Sequence, residues 1–321
     1  MLVGIIDPSH WERAHAKAGR LPNWLTLDEA LLASQAPNPK WSPWVFELIQ
    51  AALGEHQERG KRLSTTTLTS PCPRAEVLKR SVDYIGSLDD MYAALRGTMV
   101  HRTLESYARL GAIAEGRFYT TVDGIELSGS PDLVTEDTVY DYKVPTDATG
   151  VPSFGYPFRH QTEQLMLNAF ILRHAEKWDY PGPLPFDPRD NPVTHAVIVY
   201  LGPKGPKVIE YQISQDFVTP AGVTKRAPRP YVWRDEEVLA GYDDGDRKLG
   251  GMRARLHLMK QALDFYPEWP PSWVDADTEE EYTAEQVWGG EPGWLCPGPP
   301  ICRLPDCLAR RRPENYVWEK P

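Results

Sequence analysis

The chain has 321 residues, with 35 basic side chains against 45 acidic ones and a formal net charge of −10. That length fits one large domain or two small ones, and a hydrophobic share of 41% with 11 Trp and 15 Tyr can bury a core, which excludes wholesale disorder. The acidic balance excludes a uniformly basic nucleic-acid coat, so any contact with DNA must be local.

The 31 prolines predict many turns and extended connections rather than long helices. Residues 1–8 carry no basic n-region and too short an apolar run for a signal peptide. No apolar stretch approaches ~18 residues, so neither a membrane span nor a membrane partner is expected. Without an export signal the expected compartment is a reducing cytoplasm, where structural disulfides are rare.

Residues 1–65 contain Trp11, Trp24, Trp41 and Trp44 and two candidate helical patches, near 27–34 and 44–59, with no legible chemistry. They read as a helical extension. The Ser/Thr-rich run 63–70 leads into Pro71-Cys72-Pro73-Arg74, and a helix is expected to start at Pro73, where proline suits a first turn. Across 88–112, Tyr92, Leu95, Met99, Leu104, Tyr107 and Ala108 recur mostly at spacings of three or four, predicting a helix with those residues on its buried stripe. Gly97 inside it suggests that something approaches that face closely.

Segments 117–122 and 125–130 flank Asp123-Gly124, a strong hairpin signal, and 138–144 reads as a further strand. A helix is predicted over 160–175. Five prolines make 181–192 a loop. Segments 195–201 and 207–213 read as a hairpin, and 235–266 as helix interrupted by glycines. An acidic, Pro-rich stretch covers 267–291, and 294–312 holds three cysteines and a basic cluster. Strand pairs interleaved with helices predict an α/β class with a mixed sheet flanked by helices.

The sharpest chemical feature is Gly129-Ser130-Pro131-Asp132, followed by Asp141-Tyr142-Lys143. On a strand, Val139, Asp141 and Lys143 share one face. Asp132 comes from the adjoining segment, which is expected to pair with that strand. Two carboxylates on a rigid sheet are the hard oxygen ligands preferred by Mg²⁺ or Mn²⁺. A lysine beside them can orient a water and offset charge on a phosphate. A second acid-x-Lys tripeptide, Asp246-Arg247-Lys248, has no strand pattern around it. His101 and Glu105 stand one helical turn apart, and Gln161, Gln164 and Asn168 share a face of the next predicted helix, which taken alone reads as solvated.

Cys296, Cys302 and Cys307 lie at C-x5-C-x4-C spacing in a Pro/Gly-rich loop, with Cys72 far upstream. Four thiolates suit tetrahedral zinc or an iron–sulfur cluster, and the spacing leaves both open.

Together these motifs resemble the PD-(D/E)XK exonucleases of the RecB/AddB type, in particular the CRISPR-associated and phage-encoded iron–sulfur exonucleases. The resemblance covers about 68–175 and 294–308. Gly97…His101 resembles the family's helical histidine motif, Gly129–Asp132 and Asp141–Lys143 its two catalytic segments, and Gln164…Asn168 its Gln-x-x-x-Tyr helix, with Asn168 in place of the tyrosine. Cys72-Pro73-Arg74 resembles the family's leading Cys-Pro-Arg. The resemblance implies a restriction-endonuclease-like core with a C-terminal cysteine staple, in a nuclease domain spanning 66–321 whose cluster tail is 294–308. It implies a metal-dependent exodeoxyribonuclease of recombination, repair or phage DNA processing in a bacterial cytoplasm. His101, Asp132, Asp141 and the carbonyl of Tyr142 would hold Mg²⁺ or Mn²⁺; Lys143 would position the water; Gln164 would steer Lys143 or the DNA backbone; Glu105 would stand behind them. Cys72, Cys296, Cys302 and Cys307 would hold a 4Fe-4S cluster, with Zn²⁺ as the alternative.

The expected substrate is a single-stranded DNA end. Arg74, Lys79 and Arg80 with Arg303, Arg310, Arg311 and Arg312 would track its backbone, and Phe154, Tyr156 and Phe158 would stack its bases. A helicase, recombinase or integrase is the expected protein partner. The alternative from another class is a catalytically silent module that binds DNA ends or a partner and keeps only the metal staple.

Overall fold

The structure is a computed structural model that describes residues 2–6, 62–70, 73–81, 84–106, 111–145, 150–152, 157–190, 193–202, 205–210, 217–218, 224–225, 232–243, 248–249, 251–266 and 272–283. In chain order the elements are β1 (Leu2–Ile6), β2 (Leu63–Ser64), α1 (Thr65–Leu68), α2 (Pro73–Ser81), β3 (Tyr84–Ser87), α3 (Leu88–Ser106), β4 (Ile113–Ala114), β5 (Arg117–Val122), β6 (Ile125–Gly129), β7 (Leu133–Thr135), β8 (Thr138–Lys143), α4 (Arg159–Arg173), β9 (Lys177–Asp179), β10 (His195–Gly202), β11 (Gly205–Glu210), α5 (Asp235–Leu239) and α6 (Met252–Asp264). A final hairpin joins Ser272–Val274 to Glu281–Thr283. Among the described residues no helix is long and apolar enough to cross a membrane.

The chain is α/β, with two larger sheets among the described residues. One has the order β11-β10-β8-β7-β4 and the other β2-β6-β5-β9. Both are mixed: β10 runs parallel to β8 and β2 parallel to β6, while the other neighbours are antiparallel. The predicted hairpin and the Asp-x-Lys strand therefore fall in different sheets. The hairpin closes as expected. Asp123 (φ 50°) and Gly124 (φ 77°) both take positive φ, the requirement of a type I′ turn. β1 pairs in parallel with β3, so the first residues of the chain form a strand against the segment before α3. The predicted helical patches of 27–34 and 44–59 lie outside the described residues.

Helix α4 explains how the two sheets are held. Leu165, Met166, Leu167, Ala169, Phe170, Ile171 and Leu172 are all buried, and a helix apolar on nearly every side must be enclosed. It touches β5 and β6 of one sheet and β8 and β10 of the other. Each large side chain in that set contributes about 1.5–3 kcal/mol of burial. Gly129 at the end of β6 permits the approach: a Cβ there would lie 2.7 Å from Asn168 Oδ1 and 3.0 Å from Ile171 Cδ1. Helix α6 is tied to α4 by a buried ion pair in which Arg255 Nη1 and Nη2 donate to Glu163 Oε2 and Oε1 at 2.7 and 3.0 Å. Arg159 Nε adds a third donor to Glu163 Oε1 at 2.8 Å. Arg253 of α6 grips the turn residue Asp123 and reaches Asp275 and Asp277 near the last hairpin.

Several elements depart from their predicted spans. The described part of helix α3 is Leu88–Ser106, and Gly111, inside the predicted span, sits at φ 96° in the turn before β4. Met99 is 61% exposed, so the predicted stripe of α3 is not a buried one at that point. A Cβ at Gly97 would meet nothing within 4 Å, so among the described residues nothing uses the close approach that glycine permits. The helical stretch 235–266 is two helices, α5 and α6, with the short antiparallel pair Tyr242–Asp243 and Lys248–Leu249 between them.

Candidate metal centre

β8 lies in the middle of the five-stranded sheet, flanked by β7 and β10. Its alternation puts Val139, Asp141 and Lys143 on one side, as the period of two requires. Val139 and Asp141 are buried; Lys143 is half-buried at the strand's end. α4 packs on β8 and β10, so its polar residues meet that same end. Asp132 stands just before β7, and its Oδ2 accepts the backbone N–H of Tyr142 at 2.5 Å. The predicted juxtaposition of Asp132 with the Asp-Tyr-Lys strand is therefore present.

His101 comes from α3 to the same place. Its Nδ1 lies 3.1 Å from Asp132 Oδ1, and its Nε2 lies 3.1 Å from the carbonyl oxygen of Tyr142. A residue that the sequence motifs did not single out completes the group: Glu115 Oε1 is 3.3 Å from the same Nδ1. His101, Glu115 and Asp132 offer ligand atoms that all lie within 4.8 Å of one another. Glu115 sits between β4 and β5 at φ 53°, a left-handed conformation that is costly for a side chain other than glycine. Its backbone N–H donates to the Asp132 carbonyl at 3.3 Å, one step beyond the β4–β7 pairing. The two carboxylates are thus neighbours because β4, a strand of only two residues that no periodicity reveals, pairs with β7.

Lys143 Nζ donates to Asp141 Oδ1 at 3.0 Å and to Gln164 Oε1 at 3.0 Å. Asp141 Oδ2 lies 2.8 Å from the same ammonium, but off the axis that a hydrogen bond requires. That oxygen is buried and has no hydrogen-bond donor among the described residues. The Lys143 ammonium is the cation this buried oxygen meets, so the Asp141 carboxylate is held as an ion pair inside the site.

The electrostatics agree with this crowding of charge. Burial pushes the Asp141 carboxyl up to about 6; Lys143 opposes the rise and the charge of Asp132 adds to it. Burial works against a charged His101, yet the hydrogen bonds and charges of Asp132 and Glu115 outweigh it and raise the imidazole to about 10. The positive imidazolium offsets part of the negative charge of Asp132 and Glu115. Asp132, Glu115 and the Tyr142 carbonyl are hard oxygen donors of the kind Mg²⁺ and Mn²⁺ take, with the His101 imidazole a borderline nitrogen donor among them and Asp141 next to Tyr142 on the strand.

The other predicted residues sort as follows. Glu105 is exposed on α3 and touches none of the group; Glu115 occupies the place expected of it. The face of α4 that reads as solvated is largely buried. Gln161 accepts a hydrogen bond from the buried Tyr200 hydroxyl, and Asn168 is 1% exposed with both amide atoms lacking a partner among the described residues. Asn168 therefore makes no surface contact with DNA. Arg80 is turned inward, donating to Glu76 and to Thr67 Oγ1 at 2.6 Å, and so leaves the expected basic patch. Phe158, 37% exposed, stacks on His160 with centroids 6.0 Å apart. Burial, with the charge of Lys143 adding, lowers the His160 imidazole. Cys72, Cys296, Cys302, Cys307, Phe154, Tyr156 and Arg303, Arg310, Arg311 and Arg312 lie outside the described residues, as do the side chains of Arg74 and Lys79.

No family model matches the chain, and no curated protein matches it. Among solved structures, one described as the crystal structure of SSO0001 is similar at 19% identity and a TM-score of 0.35, over 53% of this chain and 77% of that one.

Proposed function

We propose that this chain is a divalent-metal-dependent nuclease of the PD-(D/E)XK type, an exodeoxyribonuclease that hydrolyses phosphodiester bonds at single-stranded DNA ends. The observation that carries the reading is that His101 and Asp132 meet at 3.1 Å and both bond to the backbone of Tyr142, the residue between Asp141 and Lys143, which are themselves paired. An exposed same-face ion pair would leave its carboxylate in solvent, whereas Asp141 is 3% exposed. Asp132, Asp141, His101 and the carbonyl of Tyr142 are the residues that would hold Mg²⁺ or Mn²⁺, with Glu115 beside them. Such an ion, when bound, supplies a Lewis acid for the phosphate and lowers the pKa of a water.

The chain's own groups do the rest. Lys143 is held between Asp141 and Gln164, so its ammonium is fixed near the carboxylates rather than free in solvent. From there it can orient the attacking water and stabilise the charge that builds on the phosphoryl oxygens. Tyr142 donates its backbone N–H to Asp132, which fixes the carboxylate's direction without using the other oxygen. The four cysteines are proposed to hold a 4Fe-4S cluster, zinc being the alternative; a brown protein with visible absorbance and bound iron selects the first.

End-labelled single-stranded and duplex DNA and RNA, incubated with Mg²⁺ or Mn²⁺, test the assignment. Wild type is expected to degrade single-stranded DNA, while Asp132→Ala and Lys143→Ala do not. Equal degradation by all three proteins means that the site is misplaced. Efficient digestion of duplex with single strands left intact removes the substrate assignment.

A further inference from the structure

The Ser/Thr run before Pro71 has a place in this site. Thr66 lies on α1, exposed, and its Oγ1 accepts a hydrogen bond from Gln164 Nε2 at 3.3 Å. The same amide accepts Lys143 through Oε1 at 3.0 Å. Donor and acceptor roles along this chain are dictated by chemistry. An ammonium has only donors, so the amide must turn its oxygen to Lys143. Its NH₂ then points the other way and needs an acceptor. An amide turned over would set NH₂ against NH₃⁺ and leave Lys143 without its second acceptor.

We infer that Thr66 is a positioning residue: its hydroxyl oxygen locks the amide of Gln164 in the one orientation that seats Lys143 against Asp141. The surroundings show how the hydroxyl is held. Thr65 and Thr67, on either side, are buried, and Ser64 caps the turn by accepting the Thr67 N–H at 3.3 Å, so Thr66 is the member of the run turned outward. The kinetic side of this inference rests on the nuclease reading; the orientation of the amide does not.

The test uses Thr66→Val, which keeps the shape and removes the oxygen, and Thr66→Ser, which keeps the oxygen. In ¹⁵N spectra of the full chain, the Gln164 side-chain NH₂ pair is identified by its loss in Gln164→Leu. The pair is expected to shift in Thr66→Val and to stay in place in Thr66→Ser. On single-stranded DNA, Thr66→Val is expected to lower kcat by about tenfold, the scale on which a slightly misplaced group costs rate, with KM unchanged. Thr66→Ser restores the rate, and Thr66→Val adds no further loss in a Gln164→Leu background, because the hydroxyl acts through that amide. Thermal unfolding of the variants checks that the fold is kept. An unmoved NH₂ pair in Thr66→Val overturns the inference whatever the activity, and so does an equal loss of kcat with and without Gln164. A shifted pair in a protein whose wild type degrades no strand supports the positioning role and overturns the nuclease reading alone.

Discussion

Glu115 Oε1 lies 3.3 Å from His101 Nδ1, the nitrogen that also meets Asp132 Oδ1 at 3.1 Å. Two carboxylates thus face one imidazole, and Glu115 is held there at φ 53°. A residue kept in a strained conformation beside two ligand candidates makes opposite predictions for stability and for metal. Glu115→Gln is expected to weaken Mn²⁺ binding by about 10–100-fold, the usual cost of losing a group that supports a metal site. Glu115→Gly should weaken it equally, yet be more stable than Glu115→Gln by about 0.5 kcal/mol, because glycine adopts positive φ without the left-handed penalty. Calorimetric Mn²⁺ titration and urea unfolding of the two variants read the two effects separately. Unchanged Mn²⁺ affinity in both would place Glu115 outside the site.

The charge balance also predicts how the metal-free protein responds to pH. His101 titrates at about 10 in the fold against 6.5 as an ordinary histidine, so it stabilises the fold fully below 6.5 and loses that contribution as pH rises through 10. Asp141 is raised from 3.8 to about 6, so its ionisation also costs stability as pH rises from 3.8 through 6. Both groups act in the same direction. The metal-free melting temperature is expected to fall on the alkaline side, and His101→Gln to flatten the part between 6.5 and 10. On the proposed metal assignment Mn²⁺ would compete with the imidazole proton, so its stabilising effect should grow over the same range. Melting curves with chelator and with Mn²⁺, from pH 5 to 10, provide the check; a wild-type profile as flat as that of His101→Gln would contradict the role assigned to the imidazole.

These features differ in how far they could be read from the chain. The hairpin at Asp123-Gly124 and the alternation Val139–Asp141–Lys143 are local: one needs positive φ at two adjacent residues and the other a period of two, and both are visible in a few letters. The meeting of His101 with Asp132 rests on motif order, which implied it without supplying a distance. Glu115 was not legible, because its position depends on the two-residue strand Ile113–Ala114 pairing with Leu133–Val134. The burial of Gln161 and Asn168 was hidden for a related reason. A polar face of a helix reads as solvated unless one knows that a second sheet covers it, and α4 is covered from both sides. The division into two sheets follows from strand partners distant in sequence, such as β8 with β10 and β5 with β9, which no local pattern encodes.

Asn168 illustrates a further consequence. Its amide is enclosed beside Gly129, Ile171 and Thr65, with neither atom hydrogen-bonded among the described residues. A buried polar group without a partner costs about 1–3 kcal/mol. Asn168→Leu, which keeps the branched shape and replaces the amide atoms by methyl groups, is expected to raise stability by about 1 kcal/mol and to leave cleavage of single-stranded DNA within twofold of wild type. Gly129→Ala, in contrast, forces a Cβ to 2.7 Å from Asn168 Oδ1 and is expected to cost about 1–3 kcal/mol by overpacking. Urea unfolding of both variants decides; a destabilised Asn168→Leu would mean that the amide has a partner, such as an enclosed water.

The ion pair between Glu163 and Arg255 carries the last prediction. Each side chain is 2% exposed, and Glu163 takes three hydrogen bonds, two from Arg255 and one from Arg159. Burial alone would raise the Glu163 carboxyl, but the guanidinium of Arg255, with that of Arg159, holds it below the usual range. Its charge is therefore kept, and removing Arg255 leaves it enclosed with one partner. Arg255→Met is expected to cost about 3–5 kcal/mol, the range for breaking a buried pair from one side. Glu163→Gln combined with Arg255→Met removes both charges and should recover a large part of that loss. Because Glu163 precedes Gln164 on α4, the same substitution reports on the site. If α6 only anchors the helix, Arg255→Met lowers stability and leaves kcat at permissive temperature close to wild type. If it also sets the height of α4 over β8, kcat falls while KM holds, and the double variant regains stability without regaining rate. Urea unfolding and single-stranded DNA kinetics on the three proteins separate the two roles, and a cost well under 1 kcal/mol for Arg255→Met would contradict the pair itself.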